Sequence, residues 1–319
     1  MSTGRRGPGL RDGGRLVDPD LSVAVGSVQL PNPVMTASGT AGHGTELGPY
    51  LDLGALGAVV VKSLSAGPWP GNPPLRVHQT PAGMINSVGL QGPGVAAWLD
   101  DDLPALLDTG ARVVASIWGR TVEEYAEAAG LLADAPAGVV AVEVNLSCPN
   151  LSGHGIFAQS PADSAAVLDA TSVCARPRWA KLTPLVTDIA EVARAVVGAG
   201  AEALTVANTV PGLVIDPETR RSRLGGGPGG LSGPAIHPIA VRAVHECRAA
   251  LPDAAIVGVG GIARGLDAIE MLMAGADAVQ VGTASFADPL AAKKVKDGLA
   301  RYCEERGITA RELIGKMIV

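Results

Sequence analysis

The chain has 319 residues, 47% of them hydrophobic and 18% charged, with a net charge of −6. That balance allows a large buried core, excludes wholesale disorder, and argues against a nucleic-acid partner, which needs a clustered basic surface. No apolar run reaches the roughly 18 residues of a membrane span, and four dispersed cysteines without a C-x-x-C pair exclude a disulfide framework and fit a reducing cytoplasm.

Residues 1–15 are rich in Gly and Arg, lack the apolar stretch of a signal peptide, and are expected to form a flexible tail. A hairpin is expected over 21–25 and 28–30, plugging one end of the domain. Apolar runs then recur at 34–37, 58–62, 112–117, 139–145, 178–181, 203–207, 255–259 and 278–281. Helical patterns fall between them at 122–133, 189–199 (with Thr187 as the expected cap), 266–274 and 288–306. Eight strands alternating with helices predict a single α/β domain over 16–319, an eight-stranded (β/α)8 TIM barrel, with no linker that would split it. Two stretches, 63–94 and 209–233, exceed ordinary connections. They follow the second and sixth strands, at the rim where barrel enzymes carry their chemistry.

The segment ending the fourth strand is the most informative. It delivers Asn145, Ser147, Cys148 and Asn150 to one loop. Asparagines both donate and accept, which suits the edge of a planar amide ring. A loop cysteine can remove a proton where its surroundings allow; the plain alternative is a buried thiol in a turn fixed by Pro149. Lys62 ends the second strand and Lys181 the fifth, each a cation leaving an apolar run. Either can hold an anion, or lie exposed at a strand end. Asn86, Ser87, Val88, Gly89 and Leu90 form a polar loop in the first excursion, equally readable as turn residues. Ala207, Asn208 and Thr209 close the sixth strand. Gly260 and Gly261 after the seventh strand, Gly282 and Thr283 after the eighth, and the glycines ending at Gly233 offer backbone N–H groups for a phosphate. The five histidines show no metal spacing and no metal site is indicated; His43 and His154 sit in glycine-rich loops where they can touch a ligand.

Together these stretches resemble the class 1 dihydroorotate dehydrogenases. The run from Asn145 through Leu146, Ser147, Cys148 and Pro149 to Asn150 is the specific motif. The stretches 36–39, 61–63, 86–90, 181–184, 207–209, 229–233, 260–261 and 282–283 also match the family, in its order. The resemblance implies oxidation of dihydroorotate to orotate in pyrimidine synthesis, with Cys148 taking the C5 proton while hydride passes from C6 to FMN. It implies that Lys62, Asn86, Ser87, Val88, Gly89, Leu90, Asn145, Asn150, Asn208 and Thr209 bind substrate. It assigns FMN, one per chain, to Ser38, Lys62, Ser63, Ser116, Asn145, Lys181, Ala207, Gly233, Gly260, Gly261, Gly282 and Thr283. His154 to Phe157 is similar to the B type, which implies a homodimer core within a heterotetramer, beside a partner subunit carrying FAD and a [2Fe–2S] cluster and reducing NAD. Neither membrane nor nucleic acid is implied. The family usually has Asn at Ser116, a small residue at Trp118 and Asn at Leu185. Another FMN barrel acting on a related dihydropyrimidine or cyclic amide, or a non-catalytic barrel binding a phosphate ligand, are the alternative readings.

Overall fold

The computed structural model describes residues 19–148 and 155–318, with the backbone pairing of Arg11–Asp12 and Arg15–Leu16; most of the expected tail over 1–15 lies outside the described residues. Eight runs form one parallel sheet: β1 (Val34–Thr36), β2 (Val59–Val60), β3 (Val113–Ile117), β4 (Val139–Asn145), β5 (Arg178–Leu182), β6 (Ala203–Val206), β7 (Ala255–Val259) and β8 (Ala278–Val281). Neighbours follow chain order from β2 to β8, and β8 pairs with β1. The strands are almost wholly buried, as a sheet covered on both faces requires.

The last seam, between β1 and β2, has no regular ladder. Gly57 N–H donates to the Val34 carbonyl at 2.8 Å, and Thr36 N–H to that of Ala58 at 3.4 Å. The Thr36 hydroxyl does the rest, donating to the Val60 carbonyl at 3.2 Å and accepting from the Val60 N–H at 2.9 Å. The sheet is thereby nearly closed into the expected barrel.

Among the described residues, seven helices of six residues or more surround it: α1 (Leu103–Asp108), α2 (Val122–Gly130), α3 (Pro161–Ala170), α4 (Ile189–Gly198), α5 (His237–Ala250), α6 (Gly265–Ala274) and α7 (Ala291–Arg306). Side chains fix their starts. Thr121 accepts from Glu124 N–H ahead of α2, and Ser160 from Asp163 N–H ahead of α3, whose first residue is Pro161. The cap of α4 is Asp188, accepting from Ala190 N–H at 2.8 Å, one residue beyond the expected Thr187. Helices α6 and α7 touch backbone to backbone: a Cβ on Gly265 would lie 2.6 Å from the Gly298 carbonyl carbon.

The barrel interior changes character along its axis. At the N-terminal end, the hairpin Val23–Val25 with Val28–Leu30 drives its valines and Leu30 against Met35, Val114, Ala141, Trp179 and Val257. This is the expected dry plug. Above it lie Ser116, Glu143, Lys181 and Gln280, all buried and all polar. A cavity of about 660 Å³ lies outside the plug; on its wall Arg248 donates to Asp277 at 2.8 Å and to the carbonyls of Gly275 and Ala254.

At the other end the two long excursions meet. Val77–Thr80 and Gly83–Asn86, from the connection after β2, pair with Gly229–Ser232 and Val210–Gly212, from the connection after β6. They form a four-stranded antiparallel sheet over the barrel mouth, with Asn86 opposite Gly230 and Met84 opposite Ser232. The Thr283 hydroxyl donates to that of Ser232 at 2.8 Å, tying this sheet to the end of β8.

Candidate active site

Between the mouth sheet and the C-terminal strand ends lies a cavity of about 610 Å³, within the usual range for a cofactor or substrate site. Strand ends supply Ser38, Lys62, Ser63, Asn145, Lys181, Ala207, Asn208 and Thr209. The mouth sheet and its loop supply Asn86, Ser87, Val88, Gly89, Leu90 and Gly233, and the turns after β7 and β8 supply Gly260, Gly261, Gly282 and Thr283. Ser116 and Cys148 are buried beside the cavity without lining it. Asn150 and His154 fall outside the described residues.

A directed hydrogen-bond network forms the floor. Asn208 donates its amide to Asn145 Oδ1 at 3.0 Å, and Asn145 donates to the Ser63 hydroxyl at 3.3 Å. Ser63 and Ser116 hydroxyls lie 2.9 Å apart, and Ser116 donates onward to Glu143 Oε1 at 3.3 Å. Ser116 has one proton and spends it on the carboxylate, so Ser63 must be the donor between the two serines. Lys181 Nζ also donates to Glu143 Oε1 at 3.2 Å and to the Ser38 hydroxyl at 2.9 Å, while Gln280 donates to Glu143 Oε2 at 2.7 Å. The relay from Asn208 through Asn145, Ser63 and Ser116 ends on the Glu143 carboxylate. Where the family has Asn, Ser116 therefore reaches the cavity through Ser63, one hydroxyl away.

The wall after β7 is backbone. Gly260 and Gly261 have φ of +137° and +68°, and a Cβ there would meet Ala240 Cβ at 2.7 Å and His237 Cβ at 2.6 Å. Only glycine lets the chain turn here with α5 so close behind it. His237 Nδ1 lies 2.8 Å from the Gly260 carbonyl, which can only accept, so this nitrogen carries the proton and holds the turn from outside.

Across the cavity, Asn86 ends a strand and donates to the Gly230 carbonyl at 3.3 Å. Asn72 donates to the Ser87 hydroxyl at 2.9 Å, and Arg76 donates to the carbonyls of Asn72 and Pro70 and to Gln91, so the loop is held from behind. Lys62 makes no ion pair among the described residues; burial pushes its pKa down, and the Arg76 charge adds to that. His43 lies behind this wall, its carbonyl accepting from the Trp98 indole at 2.7 Å.

Cys148 sits at the same rim, next to cavity-lining Ser147, but its thiol turns away and donates to the Asn145 carbonyl at 3.3 Å. Tyr125 donates its hydroxyl to that same carbonyl at 2.6 Å and packs edge-on against Phe157, ring centres 5.4 Å apart. Burial pushes the Cys148 pKa up to about 12, against a lowering from the Tyr125 hydroxyl. In this position the thiol is protonated and dry.

Two departures from the family pattern stay out of the cavity. Trp118 is buried, and packs edge-on to Trp69 at 5.6 Å, which in turn carries the Arg120 guanidinium 4.7 Å from its ring. Leu185 is exposed on the outer rim. Sequence reasoning had not singled out Thr40, Met84, Ile156, Thr183 and Phe286, which also line the cavity, nor Glu143 and Gln280 beneath it. Glu143 alone carried a signal: a carboxylate inside an apolar strand must find a donor.

A family model described as dihydroorotate dehydrogenase matches residues 20–302. The chain is 50% identical over 297 residues to a dihydroorotate dehydrogenase B (NAD(+)) catalytic subunit of Desulforudis audaxviator, an alignment covering 92% of this chain and 96% of that protein. Subunits of the same name from Geotalea uraniireducens and Alkaliphilus oremlandii are 46% and 44% identical, over 94% and 93% of this chain and 99% of each relative.

Proposed function

The chain belongs to the dihydroorotate dehydrogenase family, and from that premise we propose that it is the FMN-containing catalytic subunit of a B-type, NAD-linked enzyme oxidising dihydroorotate to orotate in pyrimidine synthesis. One observation carries the reading. The polar ends of β2, β4 and β6 converge on a cavity whose opposite wall is glycine backbone.

Those residues fit a flat, phosphate-bearing cofactor. Positive φ at Gly233, Gly260 and Gly261 leaves the wall without side chains, so an anion can come close to backbone N–H groups there and at Gly282 and Thr283. Ser38, Ser63, Ala207, Asn145 and the ammonium of Lys181 would hold the ring, with Ser116 acting through Ser63. Bound FMN supplies the acceptor for the hydride leaving C6.

The substrate carries a carboxylate and a ring of amides. Lys62, lacking a carboxylate partner among the described residues, supplies the cation. Asn86, Asn145, Asn208 and Thr209 address the ring edge, with Ser87, Val88, Gly89 and Leu90 closing one side; Asn150, outside the described residues, joins them on the family motif alone. Cys148 takes the C5 proton. To do so its thiol leaves the Asn145 carbonyl, turns into the cavity past Ser147 and first gives its own proton to solvent, so that the thiolate, its charge stabilised by Lys62, can accept the one from C5. A partner subunit bearing FAD and a [2Fe–2S] cluster would supply the onward route to NAD, in a cytoplasmic heterotetramer around a homodimeric core.

The test is anaerobic mixing of the FMN-loaded protein with dihydroorotate. Bleaching of the flavin absorbance is expected, and Cys148→Ala should retain FMN while bleaching about 10²–10⁴-fold more slowly. Flavin that stays oxidised refutes the substrate, and bleaching at the unaltered rate in the variant refutes the base.

A further inference from the structure

The polar floor contains a residue that neither the family motif nor the proposed mechanism uses. Glu143 is wholly buried in β4, two residues before Asn145 and below the cavity. Three donors meet its carboxylate: Lys181 Nζ and the Ser116 hydroxyl on one oxygen, the Gln280 amide on the other. A buried carboxylate is tolerated only with such compensation. Its cation is the one that lines the cavity.

We propose that Glu143 is a positioning residue for the flavin, acting through Lys181. The Lys181 side chain is itself only 5% exposed, and a buried ammonium is tolerated only with an opposite charge beside it. Glu143 supplies it from beneath, while Ser38 and the Gln280 carbonyl take further donor positions at 2.9 and 3.4 Å. Three elements thus converge on this β5 amine: the loop after β1, β4 and β8. The amine cannot swing, and its charge faces the cavity. Without the carboxylate, the amine loses its opposite charge and the contact that fixes its position, and with them its hold on the cofactor. The inference rests on FMN being the occupant.

The experiment is a double-mutant cycle on apoprotein titrated with FMN by fluorescence quenching, using the unaltered chain, Glu143→Gln, Lys181→Met and the double variant. Glu143→Gln should weaken FMN binding on the order of tenfold or more, the worth of a lost charge-assisted contact. In the Lys181→Met background the same change should shift binding by about twofold or less. The midpoint potential of the bound flavin should fall in Glu143→Gln toward that of Lys181→Met, since a cation released from its position no longer favours the reduced ring. An equal loss of affinity in both backgrounds, or a potential that is unchanged or raised, overturns the proposal. Should Glu143→Gln not yield folded apoprotein, Lys181→Met and the double variant decide: equal affinities support the route through Lys181, and a further loss in the double variant overturns it. If the unaltered apoprotein does not bind FMN, the cofactor reading itself has failed, a result distinct from every other.

Discussion

The resting thiol of Cys148 should be unreactive until the site is occupied. Its folded environment raises the pKa from 9.0 to about 12, chiefly by burial. Three units lower the thiolate fraction on the order of 10³-fold at neutral pH, a bias of about 4 kcal/mol toward the thiol. Iodoacetamide reacts with the thiolate, so labelling of Cys148 in the ligand-free protein should run about 10³-fold slower than for an exposed cysteine. The sign follows from the acid: a raised pKa means the rate keeps climbing with pH well above 9 instead of levelling there. Peptide mass spectrometry after timed labelling between pH 7 and 10 measures this at the one cysteine. A rate near that of a free thiol, levelling at pH 8.5–9, would show a solvated sulfur and refute the buried resting position.

Three further outcomes follow from the geometry. Thr36→Val keeps the volume at the barrel seam but strips the Val60 N–H and carbonyl of their shared partner; two unmet buried groups should cost about 3 kcal/mol, read as a lower denaturation midpoint. Gly261→Ala places a methyl 2.6 Å from His237 Cβ at a φ of +68°, so stability should fall by about 1–3 kcal/mol and FMN retention on purification should drop sharply. Lys62→Met removes the cation at the end of β2 and should raise the KM for dihydroorotate and slow anaerobic flavin reduction. Reduction at the unaltered rate would remove Lys62 from the substrate site.

The barrel was legible because its strands are dense in β-branched residues and separated by helical periods, so every run expected from the sequence overlaps a strand of the sheet. The mouth sheet was not. Its strands are short and interrupted by Pro211, Gly229 and Gly230, and its central pairing joins residues 144 apart in the chain, Asn86 and Gly230, which no local pattern announces. Helix α3 escaped because its apolar residues are mostly alanine, leaving a weak stripe. The motif residues were legible as a set, and the cavity gathers most of them. The orientation of Cys148 was not, since it depends on Tyr125 and Phe157, which belong to different elements. Glu143 stood in plain view inside an apolar strand, but its partners Lys181 and Gln280 lie 38 and 137 residues onward, visible only once the barrel closes.

The antiparallel sheet across the mouth has a consequence for remodelling this protein. Because the strand ending at Asn86 and the strand beginning at Gly229 share one ladder, the two βα excursions form a single module despite their distance in sequence. Grafting one from a relative transplants half of a paired surface, and its new register has to match the half left behind. Specificity engineered at this rim therefore has to move both segments together.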